Sequence, residues 1–250
     1  MPEKKSLGTI VMENISFVLI ALLVAVGLIL IAYFVEKAVK KKNGDTERIL
    51  STRKIAMIGM FGALSAILML FEFPLPFAPS FYKLDFSEIP VLIGAFAFGP
   101  VTGVMTELVK VLLKLLIKST STAFVGDFAN FVVGCSFVLP ASVLYLIRKN
   151  KQMALVSSMV GIIIMTIFGT AFNAVYLLPA FSKLYGMPLD VIIGMGTEIN
   201  ASITNVGTFV FYAVAPLNFI KGSCDTLVTL LVYKKLSPIL KGNRISKKKA

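Results

Sequence analysis

A succession of membrane-length apolar runs, separated by short basic clusters, constrains this chain more than any other feature. Ile15–Val35 opens the series with about 20 apolar residues, enough to cross a bilayer as a helix. In lipid every backbone N–H and C=O must find its partner inside the protein, so runs of this length fold as helices. Of 250 residues, 57% are hydrophobic and 15% charged, which is the composition of a helical membrane protein and not of a soluble domain. The net charge of +12 could suggest nucleic acid, but the basic residues are concentrated at Lys37–Lys42, Arg48–Lys54, Arg148–Lys151, Lys234–Lys235 and Lys241–Lys249. Clusters placed between apolar runs mark cytoplasmic loops and exclude a nucleic-acid face.

The placement of those clusters sets the expected organisation. Residues 1–36 form an N-terminal anchor helix whose positive cluster follows the apolar run, putting the N-terminus outside. Residues 37–54 are a basic cytoplasmic linker that turns at Asn43-Gly44-Asp45, residues 55–236 a membrane core, and residues 237–250 a basic cytoplasmic tail. Within the core, Leu84–Lys118 is long enough for one helix. Kept whole, it would leave the later basic clusters outside; split at Gly99-Pro100, it puts every cluster in the cytoplasm. The first half is then short and must be tilted, thinned or packed against protein. Pro179–Asn205 reads as a long outer loop. The total is seven spans, an all-α fold with six helices in the core and one extra at the N-terminus.

Between the first two core spans lies Phe71–Pro90, with Pro74, Pro76, Pro79 and Pro90 among five phenylalanines and Tyr82. Proline lacks an N–H and clashes with the preceding helical turn, and it pushes the residue before it towards extended geometry. This stretch is a stiff, aromatic, helix-free loop at the membrane edge. It serves either as an interfacial connector or as a lid over a flat, partly apolar ligand.

Chemistry is scarce elsewhere. There is no histidine and no G-x-x-x-x-G-K-[ST] run, and Cys135 and Cys224 lack metal or redox spacing. That removes the commonest general base and any built-in ATPase, and no cofactor or metal is expected. Ionisable residues inside spans are functional candidates. Asn218 and Lys221 follow Pro216 inside the last span: Lys221 pairs with Asp225 at i+4, or else both point into a cavity and donate to ligand carbonyls. Asn173 supplies a second amide at similar depth. Lys110, Lys114 and Lys118 share one helix face, either as a snorkelling, partly paired stripe with Glu107–Lys110 at i, i+3 or as ligand contacts. Gly59/Ala63 and Gly62/Ala66 are small-x-x-x-small pairs, which allow close helix approach within the bundle or to another subunit.

FPLPF, LDFSEIP, FGPVTGVMTELVK, FVGDFANF and PLNFIKG occur in this order and resemble the riboflavin-binding S component of energy-coupling factor (ECF) transporters over about residues 54–236. The resemblance implies a six-helix core that captures riboflavin from outside without ATPase activity. It also implies a separate module of one membrane T subunit and two cytoplasmic ATPases. By position it implies flavin-ring contacts at Asn173, Asn218 and Lys221 and loop contacts near Leu84 and Ala123. Gly59/Ala63 and Gly62/Ala66 stand where the family contacts the T subunit. Other readings are an S component for another vitamin or for flavin mononucleotide, with Lys114 and Lys118 attracting its phosphate, and, in a different class, a membrane enzyme or structural subunit.

Overall fold

The computed structural model describes residues 12, 14–120 and 122–241. What the sequence suggests for residues 1–11, for Glu13 and for the tail beyond Lys241 lies outside the described residues. Helix α1 spans Ile15–Lys42, α2 Thr52–Leu70, α3 Glu88–Phe98, α4 Pro100–Ile117, α5 Val125–Ile147 and α6 Lys151–Phe172. A wide π turn, Asn173–Leu177, leads into α7 (Leu178–Tyr185), followed by α8 (Leu189–Thr197) and α9 (Val206–Phe209). A second wide turn, Val210–Val214, leads into α10, Ala215–Lys241. Between α2 and α3 there is no helix. The proline loop instead pairs β1 (Phe73–Pro74) with β2 (Lys83–Leu84) as a short antiparallel ladder.

The chain alternates between two ends of the bundle. At the basic end, Asn43 donates to the Leu146 carbonyl (3.2 Å) and Arg53 to that of Leu240 (2.5 Å). Ser51 and Asn150 cap α2 and α6 there, each accepting from a backbone N–H of the first turn. At the loop end, the loop between α2 and α3 meets the wide turn after α6 through Tyr82 and Asn173, and meets the end of α4 through Glu72 and Lys118. The break between α3 and α4 falls at the basic end, as positive clusters on one side require. Gly99 makes the corner with φ 111°, and a Cβ there would lie 2.7 Å from the Glu36 carboxylate. Glycine fits both demands, and Pro100 opens α4 at a position where its missing N–H costs nothing.

At 11 residues α3 is about 16 Å long, roughly half a bilayer. It avoids lipid by packing against protein on all sides. Val91, Leu92, Ala95 and Phe96 are fully buried among α2, α4, α5 and α10. Phe96 meets Tyr145 and Tyr233, with ring centroids 4.7 and 5.8 Å away. By contrast, α1 stands at the periphery against α4 and α5, with Ala25 and Ala32 buried and Leu23, Val26 and Phe34 facing outward.

Two expectations are corrected. The stretch from Pro179 to Asn205 is mostly helical, because Ile192 and Ile193 of α8 bury against Phe209, Ile203 and Val210 and give the segment an apolar core of its own. The last span is not interrupted at Pro216–Gly222. The widening lies one turn earlier, at Val210–Val214, and α10 then runs through Asn218 and Lys221 unbroken. Each wide turn contains the carbonyl four residues before a proline, Pro179 or Pro216. Adding a residue to the turn accommodates the ring and the lost hydrogen bond.

Candidate functional site

At the loop end a cavity of about 340 Å³ opens between the proline loop, α4, α5, α6–α7 and α10. Asn173, Asn218 and Lys221 all line it, although 45 residues of chain separate the two asparagines. The first wide turn begins at Asn173, so the local change of pitch sets the direction of its amide. Asn218 and Lys221, three residues apart on α10, share the face turned to the cavity.

The three side chains differ in how far they are already engaged. Asn173 donates Nδ2–H to the Gly169 carbonyl (2.7 Å), while its Oδ1 accepts from the Tyr82 hydroxyl (2.6 Å). Burial pushes that hydroxyl above its ordinary pKa of 10.0, keeping it a donor. Asn218 is buried, and its Nδ2 has no acceptor among the described residues. Leaving a buried donor unpaired costs roughly 1–3 kcal/mol, so a carbonyl entering the cavity would gain from meeting it.

Lys221 is paired, but not with Asp225. Its Nζ lies 2.8 Å from Asp85 Oδ2 and 3.8 Å from Glu88 Oε1. The loop after β2 places Asp85 against α10, whereas Asp225 is a turn deeper, and its carboxylate has no hydrogen-bond partner among the described residues. The network continues inward: Lys110 contacts Glu88 at 2.8 Å and Glu107 at 2.6 Å. The lysine stripe on α4 is thus matched along its length, with Lys114 on Asp127 and Lys118 on Glu72. Glu72 also holds Lys83, both lysines being 2.9 Å away. Partial burial would raise the Glu72 pKa, but hydrogen bonds from Lys118 and Lys83 outweigh it and hold the carboxyl below its ordinary range.

Leu84 and Ala123 are not in the cavity wall. Residues alternate across a strand, so Leu84 is buried behind it while Lys83 and Asp85 on either side face in. Next to Ala123, which has φ 45°, Thr122 reaches the wall. The small-residue pairs on α2 separate as well. Gly62 and Ala66 face inward, and a Cβ at Gly62 would lie 2.5 Å from the Val109 side chain of α4. Gly59 and Ala63 face outward with Ala56, and a Cβ at Gly59 would meet nothing within 4 Å. Close packing inside the chain thus takes up Gly62 and Ala66, while Gly59 and Ala63 stay on an exposed face. Asp85, Asp127 and Tyr82 carry no assigned role in the sequence reading. The available signal was an acidic residue at the mouth of each apolar run facing a lysine stripe.

The family model for the substrate-specific component of ECF transporters matches residues 53–233. This chain belongs to that family. The S component is 37% identical over 194 residues to the riboflavin transporter RibU of Staphylococcus aureus, an alignment covering 76% of this chain and 93% of that protein. It is 30% identical over 196 residues to the riboflavin transporter FmnP of Bacillus subtilis, covering 78% of this chain and 97% of that one. The solved S component of a bacterial ECF transporter shares the fold with a TM-score of 0.59 at 33% identity, over 76% of this chain and 98% of that one. Family membership makes this a multi-pass membrane component that works with an ECF module, not an enzyme. Helix α1 precedes the matched residues.

Proposed function

We propose that this S component captures riboflavin in the loop-end cavity and, with an energising module, carries it across the cell membrane. The observation that carries this reading is the buried Asn218 amide, unpaired and facing a cavity that Asn173 and Lys221 also line. Two amides and an ammonium suit the ring carbonyls and nitrogens of a flavin, while Phe81, Tyr82, Phe181 and Tyr185 supply flat apolar walls. A volume of about 340 Å³ is within the range of small-molecule sites.

Charge supports an uncharged ligand. The lining holds four carboxylates (Glu72, Asp85, Glu88, Asp127) and four lysines (Lys83, Lys114, Lys118, Lys221), so formal charges cancel. A phosphorylated flavin would find no surplus cation there. Riboflavin has about 27 non-hydrogen atoms; at ~0.3 kcal/mol each that gives only micromolar affinity. Tight capture therefore needs the enclosure that the proline loop offers.

The basic clusters favour a cytoplasmic basic end, with the loop end and the N-terminus outside. Without a nucleotide-binding motif the chain depends on a membrane T subunit and two cytoplasmic ATPases. Its outward pair Gly59/Ala63 is the candidate contact for the T subunit. Riboflavin titration of detergent-purified protein, read by quenching of flavin fluorescence, tests the ligand; absence of quenching would overturn the assignment. Cysteines introduced near Ser80 and Ser182 should be labelled in intact cells, and those near Asn43 and Asn150 should not. Labelling at Asn150 would invert or break the topology.

A further inference from the structure

A second cavity, about 470 Å³, opens at the basic end. Its lining is cationic where that of the loop-end site is balanced: among the described residues, Arg48, Arg53, Lys54 and Lys149 stand against one carboxylate, Glu47. Three segments bring its cations together. The linker from α1 brings Arg48, α2 brings Arg53 and Lys54, and the turn between α5 and α6 brings Lys149.

The four cations are not equally committed. Lys54 is answered by Glu36 at 3.6 Å. Arg53 is held in place by donating to the Leu240 carbonyl and by the Phe98 ring 6.0 Å below its guanidinium, which leaves further N–H donors of the planar fork for a ligand. Arg48 and Lys149 have no carboxylate within ion-pair distance among the described residues. Partial desolvation in the cavity lowers the Lys149 pKa, although the residue stays exposed overall. Phe98 and Leu240 supply an apolar floor. Exposed Leu50, Ile55 and Ile147 nearby along the chain put this region where charged and lipid-facing side chains meet.

We propose that this cavity is a phosphodiester site, filled by the headgroup of an anionic phospholipid from the adjoining leaflet. Basic pockets between membrane helices have the chemistry to hold such headgroups, and arginine offers a fork that matches two phosphate oxygens. The linker of the extra helix contributes Glu47, Arg48 and Ser51 to this lining, so α1 shares in a site otherwise built from the core.

The test uses the full chain in neutral detergent at constant ionic strength. Thermal unfolding is followed with added phosphatidylglycerol, phosphatidylcholine or inorganic phosphate. Phosphatidylglycerol should raise Tm saturably, and phosphatidylcholine should not. Arg48→Gln with Lys149→Gln should abolish the rise while leaving the lipid-free Tm unchanged. Lys41→Gln with Lys42→Gln removes the same charge outside the cavity and should preserve the rise. Equal effects of the two lipids, or a rise that survives the cavity variant, would overturn the site. An equal rise with inorganic phosphate would overturn the lipid as its occupant. None of these readouts involves flavin, so the outcome is independent of the transport assignment.

Discussion

Asn218 and Lys221 lie one helical turn apart, yet they should respond differently to mutation. Asn218→Ala removes a donor with no acceptor among the described residues, so fold stability should hold while riboflavin affinity falls by about 5- to 150-fold, the equivalent of roughly 1–3 kcal/mol. Lys221→Met strands the buried Asp85 carboxylate and should lower Tm as well as affinity. Adding Asp85→Asn should restore Tm without restoring binding. If affinity returned in the double variant, Lys221 would be only a counter-ion. The candidate pair was legible in the sequence because an amide and an ammonium after a proline inside an apolar run are costly without a purpose. The partner of Lys221 was not. Asp85 is 136 positions away, whereas Asp225 sits at a helical spacing that local reasoning favours, and only tertiary packing decides between them.

At the level of elements, the loop-end mouth is a set of ion pairs joining the proline loop, α4 and α5. Asp127→Asn would free Lys114, and Glu72→Gln would free both Lys83 and Lys118. Each variant should strengthen flavin mononucleotide binding by about 10-fold or more, since a charge-assisted hydrogen bond contributes roughly 1.5–3 kcal/mol, while changing riboflavin affinity little. Competition between the two flavins in fluorescence titrations would show it; unchanged preference would mean that shape, not charge balance, excludes the phosphate. The two faces of α2 should separate in the same way. Gly62→Leu collides with Val109 inside the bundle and should lower Tm. Gly59→Leu meets open space in the isolated chain and should leave Tm and flavin binding intact while reducing uptake in cells that supply the ECF module. Unreduced uptake would remove this face as the docking surface. The split at Gly99-Pro100 was readable from charge topology alone. The helices α7 and α8 were not, because their short apolar stretches acquire an inward face only when Phe209 and Val210 close over them.

For the whole molecule, the outstanding question is what α1 adds to a core that relatives of the family complete without it. Besides the small buried residues Ala25 and Ala32, it sends a carboxylate into that core. Glu36 is fully buried, accepts from the Val101 N–H at 2.9 Å and faces Lys54 at 3.6 Å. A carboxylate there satisfies an otherwise unpaired donor in the first turn of α4 and opposes the positive end of that helix. Periodicity does not disclose this: a glutamate at the end of an apolar run, just before a basic cluster, reads as a solvated boundary residue. Its role depends on the corner at Gly99, where any side chain would displace it. Glu36→Gln keeps the size but weakens both contacts, and should lower Tm through a stability loss of about one cap, roughly 0.5–2 kcal/mol. Removing residues 1–42 should cost more, because it also exposes Ala25 and Ala32's partners on α4 and α5 to lipid. Riboflavin affinity should stay within a few-fold of the intact protein in both variants, since none of the cavity-lining residues lies on α1. Thermal unfolding and flavin titration on the same samples separate the two effects. A large loss of affinity on Glu36→Gln would show that the α3–α4 corner transmits to the flavin site through Glu88 and Lys110, and α1 would then be a regulator of binding and not a brace.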